Sequence, residues 1–219
     1  MSCKYTEVKN IIFSSSCSIY GNINGSVNEK KKPNPQNYYA FTKFKAEELV
    51  KKYATKLNYN FGILRYFNVA GASPSKKIGE IESSHGHLIK NIAIQSMNKR
   101  PQLNIFGNDY PTTDGTCIRD YIHVSDLSDI HIKVLDYIIK NKKSFILNCG
   151  YGKGYSVLQI ANKFKKIRYN TQINFSEIHY LSKELPSIRW CIVVDIVVVN
   201  VCCQEFISSD VNRLIHWYE

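Results

Sequence analysis

The sequence lacks several features that would point to other classes of protein. Its longest apolar run, 191–203, contains Asp195 and Asn200 and is too short to cross a bilayer. No signal-peptide pattern follows Met1. Seven cysteines occur without a Cys-x-x-Cys pair or an adjacent histidine cluster, so no metal site is predicted. These absences favour a cytoplasmic protein with reduced thiols and no membrane contact.

Acidic residues are also scarce. There are 18 Asp and Glu against 29 Lys and Arg in 219 residues, which leaves a net charge of +11. Such a charge can indicate a nucleic-acid partner. The lysines are scattered rather than gathered in one patch, so we predict no nucleic-acid partner. A nucleic-acid binder stays the least favoured alternative, and its binding would depend steeply on salt.

A strand that ends in serines is the first element of a candidate site. Residues 10–13 form a short apolar run with β-branched side chains, which is typical of a buried strand. Serines follow at 14–16, and in open α/β sheets ligands bind at the carboxyl ends of the strands. The sequence therefore predicts a cluster of hydroxyl groups at a ligand-binding edge.

A helix that begins near Tyr38 carries the second element. Tyr39 and Lys43 are four residues apart, which places both side chains on one helix face. An ammonium beside a phenol favours the phenolate, which can act as a general base toward a substrate hydroxyl, and Ser16 could orient or relay that proton. A Tyr-x-x-x-Lys spacing alone is more often chance or a solvated helix face. The serine strand upstream favours the catalytic interpretation.

Apolar periodicity and turn residues predict further elements. The helix from Tyr38 continues to about Lys56. After it come a strand at 60–66, a helix from 88 to about 98, a strand at 102–107, a helix at 127–139, a strand at 144–148 and a helix from 156. The glycine cluster at 150–154 is predicted to be a turn rather than a phosphate-binding loop.

Six blocks, in order along the chain, carry a resemblance to a known family. They are Phe13-Ser14-Ser15-Ser16, Ile19-Tyr20-Gly21, Tyr39-x-x-x-Lys43, Leu64-Arg65-Tyr66-Phe67-Asn68, the segment 105–124 and Asn148-Cys149-Gly150-Tyr151-Gly152. With them the chain resembles the extended short-chain dehydrogenase/reductase family, and the segment 105–124 favours its UDP-hexose 4-epimerase branch. The resemblance implies an α/β fold, an incomplete Rossmann-like doubly wound parallel sheet with a smaller α/β sugar-nucleotide-binding domain.

The resemblance also implies NAD as the cofactor and a UDP-sugar as the substrate. The implied reaction interconverts UDP-glucose and UDP-galactose by oxidation and re-reduction at C4, and a homodimer is compatible with it. The implied catalytic residues are Ser16, Tyr39 and Lys43. The implied cofactor-binding residues are Ser14, Tyr39, Lys43 and Tyr66. The implied substrate-binding residues are Ser16, Asn68, His87, Leu88, Asn104, Phe106, Arg119 and Arg189.

Several of these residues also have plain structural interpretations. Asn68 would fit a turn residue that caps a strand, and Phe106 would fit a core residue equally well. Arg119 would fit a surface ion pair with a neighbouring aspartate. His87 stands where the family tends to have asparagine, which weakens the case for a substrate contact there.

The chain departs from the family pattern in two places. No Gly-rich turn of the kind that holds a dinucleotide pyrophosphate occurs early in the sequence, so a chain truncated on its N-terminal side is expected. Beyond residue 166 the resemblance decays, and Arg189 lacks the Gly-Asp that the family has near it. A divergent tail is therefore expected after 166, with a strand-like apolar run at 196–199.

Two domains are predicted. The second half of an NAD-binding domain would comprise residues 1–72 and 116–150, and a UDP-sugar domain would comprise 73–115 and 151–219. The main alternative is an inactive remnant or a non-catalytic fragment of a nucleotide-sugar epimerase or dehydratase, which would fail to retain NAD. A dehydratase or a decarboxylase relative would share the fold. The resemblance disfavours a dehydratase, because members of that branch generally have acidic residues after the serine strand, whereas Cys17 and Ser18 follow Ser16 here.

Overall fold

Helices and strands alternate along most of the described chain. The computed structural model describes residues 8–23, 25–75, 77–79, 87–176 and 196–198. The strands in this part are β1 (Asn10–Ser16), β2 (Asn60–Tyr66), β3 (Asn68–Ala70), β4 (Gln102–Phe106), β5 (Ile118–His123), β6 (Phe145–Cys149), β7 (Gly154–Ser156), β8 (Gln172–Ser176) and β9 (Ile196–Val198). The helices are α1 (Tyr38–Leu57), α2 (Leu88–Ser96), α3 (Val124–Asn141) and α4 (Val157–Ile167), and a 3-10 turn spans Cys17–Tyr20.

The largest sheet has the strand order β6-β2-β1-β9. Strands β6, β2 and β1 are parallel, and their register places Ser14 beside Leu64 and Ser16 beside Tyr66. Strand β9 is antiparallel to β1. Helix α1 connects β1 to β2, and α3 lies on the connection from β2 to β6. These parallel crossovers confirm the predicted α/β fold.

Helix α1 begins at the residue that caps it. The Asn37 side chain accepts a hydrogen bond of 2.8 Å from Ala40 N, and Asn58 ends the helix in the left-handed conformation with φ 51°. The predicted helix from Tyr38 to about Lys56 is therefore confirmed, and so is the strand at 60–66.

Helices cover both faces of the main sheet. Side chains alternate between the faces along each strand, so an apolar run of consecutive residues makes both faces apolar. Ile12 and Leu64 pack toward α3 on one face. Phe13 and Ile63 pack toward Val50 of α1 on the other face. All four strand residues are at most 2% exposed, and burial of each such side chain contributes about 1.5–3 kcal/mol. The serines at 14–16 continue β1, so their side chains also alternate between the α1 face and the α3 face.

Two smaller sheets, β3-β5-β7 and β4-β8, complete the described part. Leu103 and Ile105 of β4 pack against Ala161 of α4. Ser156 caps α4 in a reciprocal capping box with Gln159, which confirms the predicted start of this helix. None of the helices in the described ranges combines the length and the apolar composition that crossing a membrane requires.

Four strands, β3, β5, β7 and β8, are not predicted by the sequence analysis. Strands β3 and β7 have three residues each, which is too short for a periodic signal. Strand β5 mixes charged and apolar residues and lies inside a turn-rich stretch. Helix α3 is also longer than the predicted 127–139. Residues 150–153 of the glycine cluster connect β6 to β7, which confirms the predicted turn after a late strand, whereas Gly154 already belongs to β7. The division into two domains stays a prediction.

Candidate active site

The serine strand ends at the carboxyl edge of the parallel sheet, as predicted. Ser14 is buried and Ser16 is partly exposed. Ser16 Oγ accepts hydrogen bonds from Ser18 N over 3.2 Å and from Ser18 Oγ over 2.9 Å, and so caps the 3-10 turn. The Ser16 hydroxyl proton has no acceptor among the described residues. This hydroxyl can therefore donate to the oxygen of a bound ligand.

Lys43 of α1 lies against the end of β1. Its Nζ donates a hydrogen bond of 3.0 Å to the carbonyl oxygen of Ser14. The same Nζ lies 5.6 Å from the centroid of the Phe13 ring and 5.8 Å from the centroid of the Tyr39 ring. Tyr39 is 53% exposed and thus accessible to a ligand. The structure brings Tyr39 and Lys43 to the serine strand, and their catalytic roles stay predictions.

Ser14 also belongs to a hydrogen-bonded chain on the α3 side of the sheet. Tyr66 Oη lies 2.7 Å from Ser14 Oγ and 2.7 Å from His131 Nε2. His131 Nδ1 lies 2.8 Å from the carbonyl oxygen of Leu127. Burial lowers the pKa of His131, and its hydrogen bond to Leu127 acts in the opposite direction. Two residues predicted to bind the cofactor, Ser14 and Tyr66, are therefore in contact.

A buried ion pair holds the serine strand from the α1 side. Glu47 is fully buried and accepts hydrogen bonds from Arg65 Nε over 2.9 Å, from Arg65 Nη2 over 2.7 Å and from Ser15 Oγ over 2.6 Å. Arg65 Nη1 donates to Tyr20 Oη over 2.7 Å, and Tyr20 donates to Asn148 over 2.7 Å. This network joins β1, β2, β6 and α1 beneath the candidate site.

Asn68 and Arg119 lie on the neighbouring sheet. Asn68 opens β3, which pairs with β5, so Asn68 is a strand residue and its interpretation as a turn residue is wrong. Arg119 lies in β5, and its charge acts on the thiol of Cys17, next to Ser16. Burial raises the pKa of Cys17 to about 11, although the charge of Arg119 acts to lower it. Within the described ranges Arg119 forms no ion pair.

The other predicted substrate residues lie around β4 and α2. His87 directly precedes α2 and is exposed, whereas Leu88 packs into the core between α2, β4 and α4. Asn104 Oδ1 accepts a hydrogen bond of 3.2 Å from an asparagine of β8. Phe106 ends β4 and is 61% exposed, so its interpretation as a core residue is wrong. Arg189 lies outside the described residues.

Three residues of this region, Glu47, Arg65 and His131, are not identified by the sequence analysis. Arg65 carried a signal, because a charge inside an otherwise apolar strand requires a buried partner. Glu47 follows Lys43 by four residues and lies near it along the helix. His131 carried no signal, since a single polar residue on an amphipathic helix is ordinary.

The sequence matches the model of a known family. That family is described as the NAD dependent epimerase/dehydratase family, and the match covers residues 1–150. The chain belongs to this family. Strands β1, β2 and β6 and helices α1 and α3 all lie within the matched range, so the epimerase/dehydratase assignment covers the serine strand, Tyr39 and Lys43.

Individual members of the epimerase/dehydratase family are similar over a large part of this chain. A UDP-glucose 4-epimerase from Azospirillum brasilense is 38% identical over 166 residues, which are 75% of this chain and 48% of that protein. The crystal structure of the UDP-glucose 4-epimerase from Brucella ovis in complex with NAD has a TM-score of 0.72 at 32% identity, over 81% of this chain and 55% of that chain. For the crystal structure of the UDP-glucose 4-epimerase from Bifidobacterium longum in complex with NAD+ and UDP, the TM-score is 0.68 at 33% identity, over 80% of this chain and 52% of that chain. The chain thus spans about half the length of the relatives that it matches.

Proposed function

We propose that the protein is a UDP-glucose 4-epimerase, which interconverts UDP-glucose and UDP-galactose with NAD as its cofactor. The arrangement at the end of β1 carries the proposal: Lys43 lies beside Tyr39 and is bonded to the Ser14 carbonyl, and Ser16 has a hydroxyl proton to donate. The relatives from Azospirillum brasilense and Brucella ovis support it, since both have this activity in their names.

The edge of the sheet fits the nicotinamide end of NAD. Lys43 is fixed by Ser14 and brings a cation to the place where a ribose would be held, and Tyr66 adds a partly exposed side chain. When bound, NAD supplies a reversible hydride acceptor for the sugar carbon. No Gly-rich turn for the pyrophosphate occurs in the sequence, so binding of NAD has to be measured directly.

The residues of this chain account for the proton transfer. Lys43 Nζ lies 5.8 Å from the centroid of the Tyr39 ring, on the same helix face. As phenolate, Tyr39 takes the proton of the sugar 4-hydroxyl and later returns it to the same oxygen, which makes it both general base and general acid. Ser16 donates a hydrogen bond to that oxygen and so orients it toward Tyr39.

A homodimer and a cytoplasmic location are part of the proposal. Helix α1 exposes three large apolar residues at intervals of four or eight positions, Phe41, Leu49 and Tyr53, with exposed fractions of 48%, 53% and 42%. An apolar stripe of this kind is typical of a face that packs against another subunit. Free thiols fit a reducing compartment, and they occur at Cys17, Cys117 and Cys149.

The second candidate function is that of an inactive remnant or a non-catalytic fragment. These 219 residues contain no Gly-rich turn for the pyrophosphate. Such a protein would keep Tyr39, Lys43 and Ser16 in place without turning over a substrate. The two candidates differ in one measurable property, the affinity for NAD.

The deciding experiment measures NAD binding by calorimetry and then conversion of UDP-galactose to UDP-glucose with NAD added. For an epimerase we expect binding with turnover, and a fall in kcat of about 10²–10⁴-fold in Tyr39→Phe because the general base is lost. Tyr38→Phe is the matched control, since Tyr38 is the adjacent tyrosine and is 90% exposed. No binding at millimolar NAD would establish the second candidate instead.

A further inference from the structure

A network of polar groups outside the candidate site holds the start of β5. Thr116 is fully buried, and its Oγ1 donates a hydrogen bond of 2.8 Å to Asp114 Oδ1. Thr116 N donates to the same oxygen over 2.9 Å. The other carboxylate oxygen of Asp114 accepts a hydrogen bond from the hydroxyl of Ser156, the residue that caps α4. Asp114 therefore ties the turn before β5 to the start of α4.

Further contacts join the same two segments. Thr116 Oγ1 accepts a hydrogen bond of 3.1 Å from Leu158 N in the first turn of α4. Ile118, the first residue of β5, is the strand partner of Ser156. Arg119 is the next residue of β5. The network around Asp114 thus fixes the strand directly before the residue that is predicted to bind the substrate.

Arg119 lies beside the candidate site. Its charge acts on the thiol of Cys17, which is adjacent to Ser16. The neighbouring Asp120 accepts two backbone hydrogen bonds, of 3.1 Å and 2.7 Å, from the turn that follows β6. Strand β5 therefore meets the carboxyl edge of the main sheet at this point. Arg119 is exposed and has no ion-pair partner among the residues that the structure describes, so its guanidinium is available to a ligand.

We propose that Asp114 is a positioning residue, which holds β5 against α4 and thereby sets the place of the Arg119 guanidinium beside the candidate site. The inference rests on the proposed function, in which Arg119 binds the diphosphate of a UDP-sugar. A guanidinium binds a phosphate through two parallel hydrogen bonds, so a small displacement of its strand weakens the contact. Asp114 acts on the ligand only through Arg119.

The test is a double-mutant cycle on the affinity for UDP, measured by calorimetry. Asp114→Ala should weaken UDP binding about tenfold, because the guanidinium moves away from the phosphates. In the Arg119→Ala background the same change should have no further effect, since Asp114 acts through Arg119. Asp109→Ala is the matched control. Asp109 is an exposed aspartate of the same loop, and its loss should change the affinity less than about twofold, because solvent screens its charge.

Equal losses of affinity in the two backgrounds, or an Asp114→Ala protein that binds UDP as tightly as the unmodified one, would overturn the proposal. A second pair of variants changes the hydroxyl that joins Asp114 to α4. Thr116→Val removes this hydroxyl and should weaken UDP binding as Asp114→Ala does, whereas Thr116→Ser keeps it and should keep the affinity. Equal affinities of these two variants would also overturn the proposal. Dispersed amide spectra establish that each variant is folded.

A measurement without ligand separates this inference from the proposed function. The side-chain 1Hε–15Nε resonance of Arg119, assigned from Arg119→Ala, should shift in Asp114→Ala and stay in place in Asp109→Ala. An Arg119 resonance that Asp114→Ala does not move contradicts this inference alone. An unmodified protein that binds no UDP contradicts the proposed function alone, and the Arg119 resonance then decides the inference.

Discussion

At Glu47, a fully buried carboxylate meets the guanidinium of Arg65, which is 2% exposed, with an N–O distance of 2.7 Å. Two buried charges attract strongly, but each has lost its hydration, so neither is tolerated without the other. Ser15 Oγ donates to the same carboxylate over 2.6 Å. The position of the serine strand therefore depends on a residue that lies outside the candidate site.

Replacing Glu47 tests this dependence. Glu47→Gln should lower the free energy of unfolding by about 3–5 kcal/mol in urea denaturation, because it leaves the Arg65 charge buried without a counterion. Glu48→Gln is the control, because the adjacent Glu48 forms an exposed pair with Lys45, and its loss should cost less than about 1 kcal/mol. Equal losses of unfolding free energy in the two variants would show that the buried pair contributes no more to stability than the exposed pair.

At the scale of elements, the contact between α3 and β2 positions His131 relative to Tyr66. The two elements approach closely at Gly62. A Cβ atom there would lie 2.6 Å from Val134 Cγ1 and 3.0 Å from Ile138 Cδ1. Any larger side chain at this position has to displace the helix or its packing.

Gly62→Ala should therefore destabilise the protein by about 1–3 kcal/mol through overpacking, measured by denaturant unfolding. Gly79→Ala is the control, since an added Cβ there would meet, among the described residues, only Ala72 Cβ at 3.5 Å, an ordinary contact. The control should change stability by no more than about 0.5 kcal/mol. A neutral Gly62→Ala would mean that α3 can move away from β2 without loss.

At the scale of the whole molecule, the two neighbours of strand β1 in the main sheet run in different directions. Strand β2 pairs with β1 in parallel, whereas β9 pairs with it antiparallel through Ile11, Ile12 and Phe13. In the doubly wound sheets that bind dinucleotides, the neighbouring strands are parallel. The pairing with β9 covers backbone groups that an open edge would expose to other chains. The apolar stripe of Phe41, Leu49 and Tyr53 on helix α1 stays exposed.

The exposed face of α1 predicts self-association. Leu49→Lys should weaken dimerisation at least about tenfold, equivalent to about 1.4 kcal/mol, because it places a charge in an apolar contact. Sedimentation velocity over a range of concentrations would measure the change. Ile167→Lys is the control, since Ile167 is 78% exposed at the end of α4, away from the stripe. A monomer at all concentrations in the unmodified protein would contradict the homodimer.

Prediction from the sequence succeeded where the signal was local. Helix α1 and strand β2 have apolar periodicity or a capping residue within a few positions, and their bounds are close to the predicted ones. It failed for β3 and β7, whose three residues pair only because distant strands lie beside them. It also left open whether Phe106 is a core residue or an exposed one, since an alternating strand does not show which of its faces meets a core.

The sequence by itself determined the serine strand, the helix after it and the shared face of Tyr39 and Lys43, because each follows from spacing over a few residues. Only the tertiary structure decided that Arg65 meets Glu47, 18 residues away, and that His131 meets Tyr66, 65 residues away. Contacts at such separations depend on which helix covers which face of the sheet and on where along the strands the helix lies. Packing of the whole core sets that arrangement, and no local pattern encodes it.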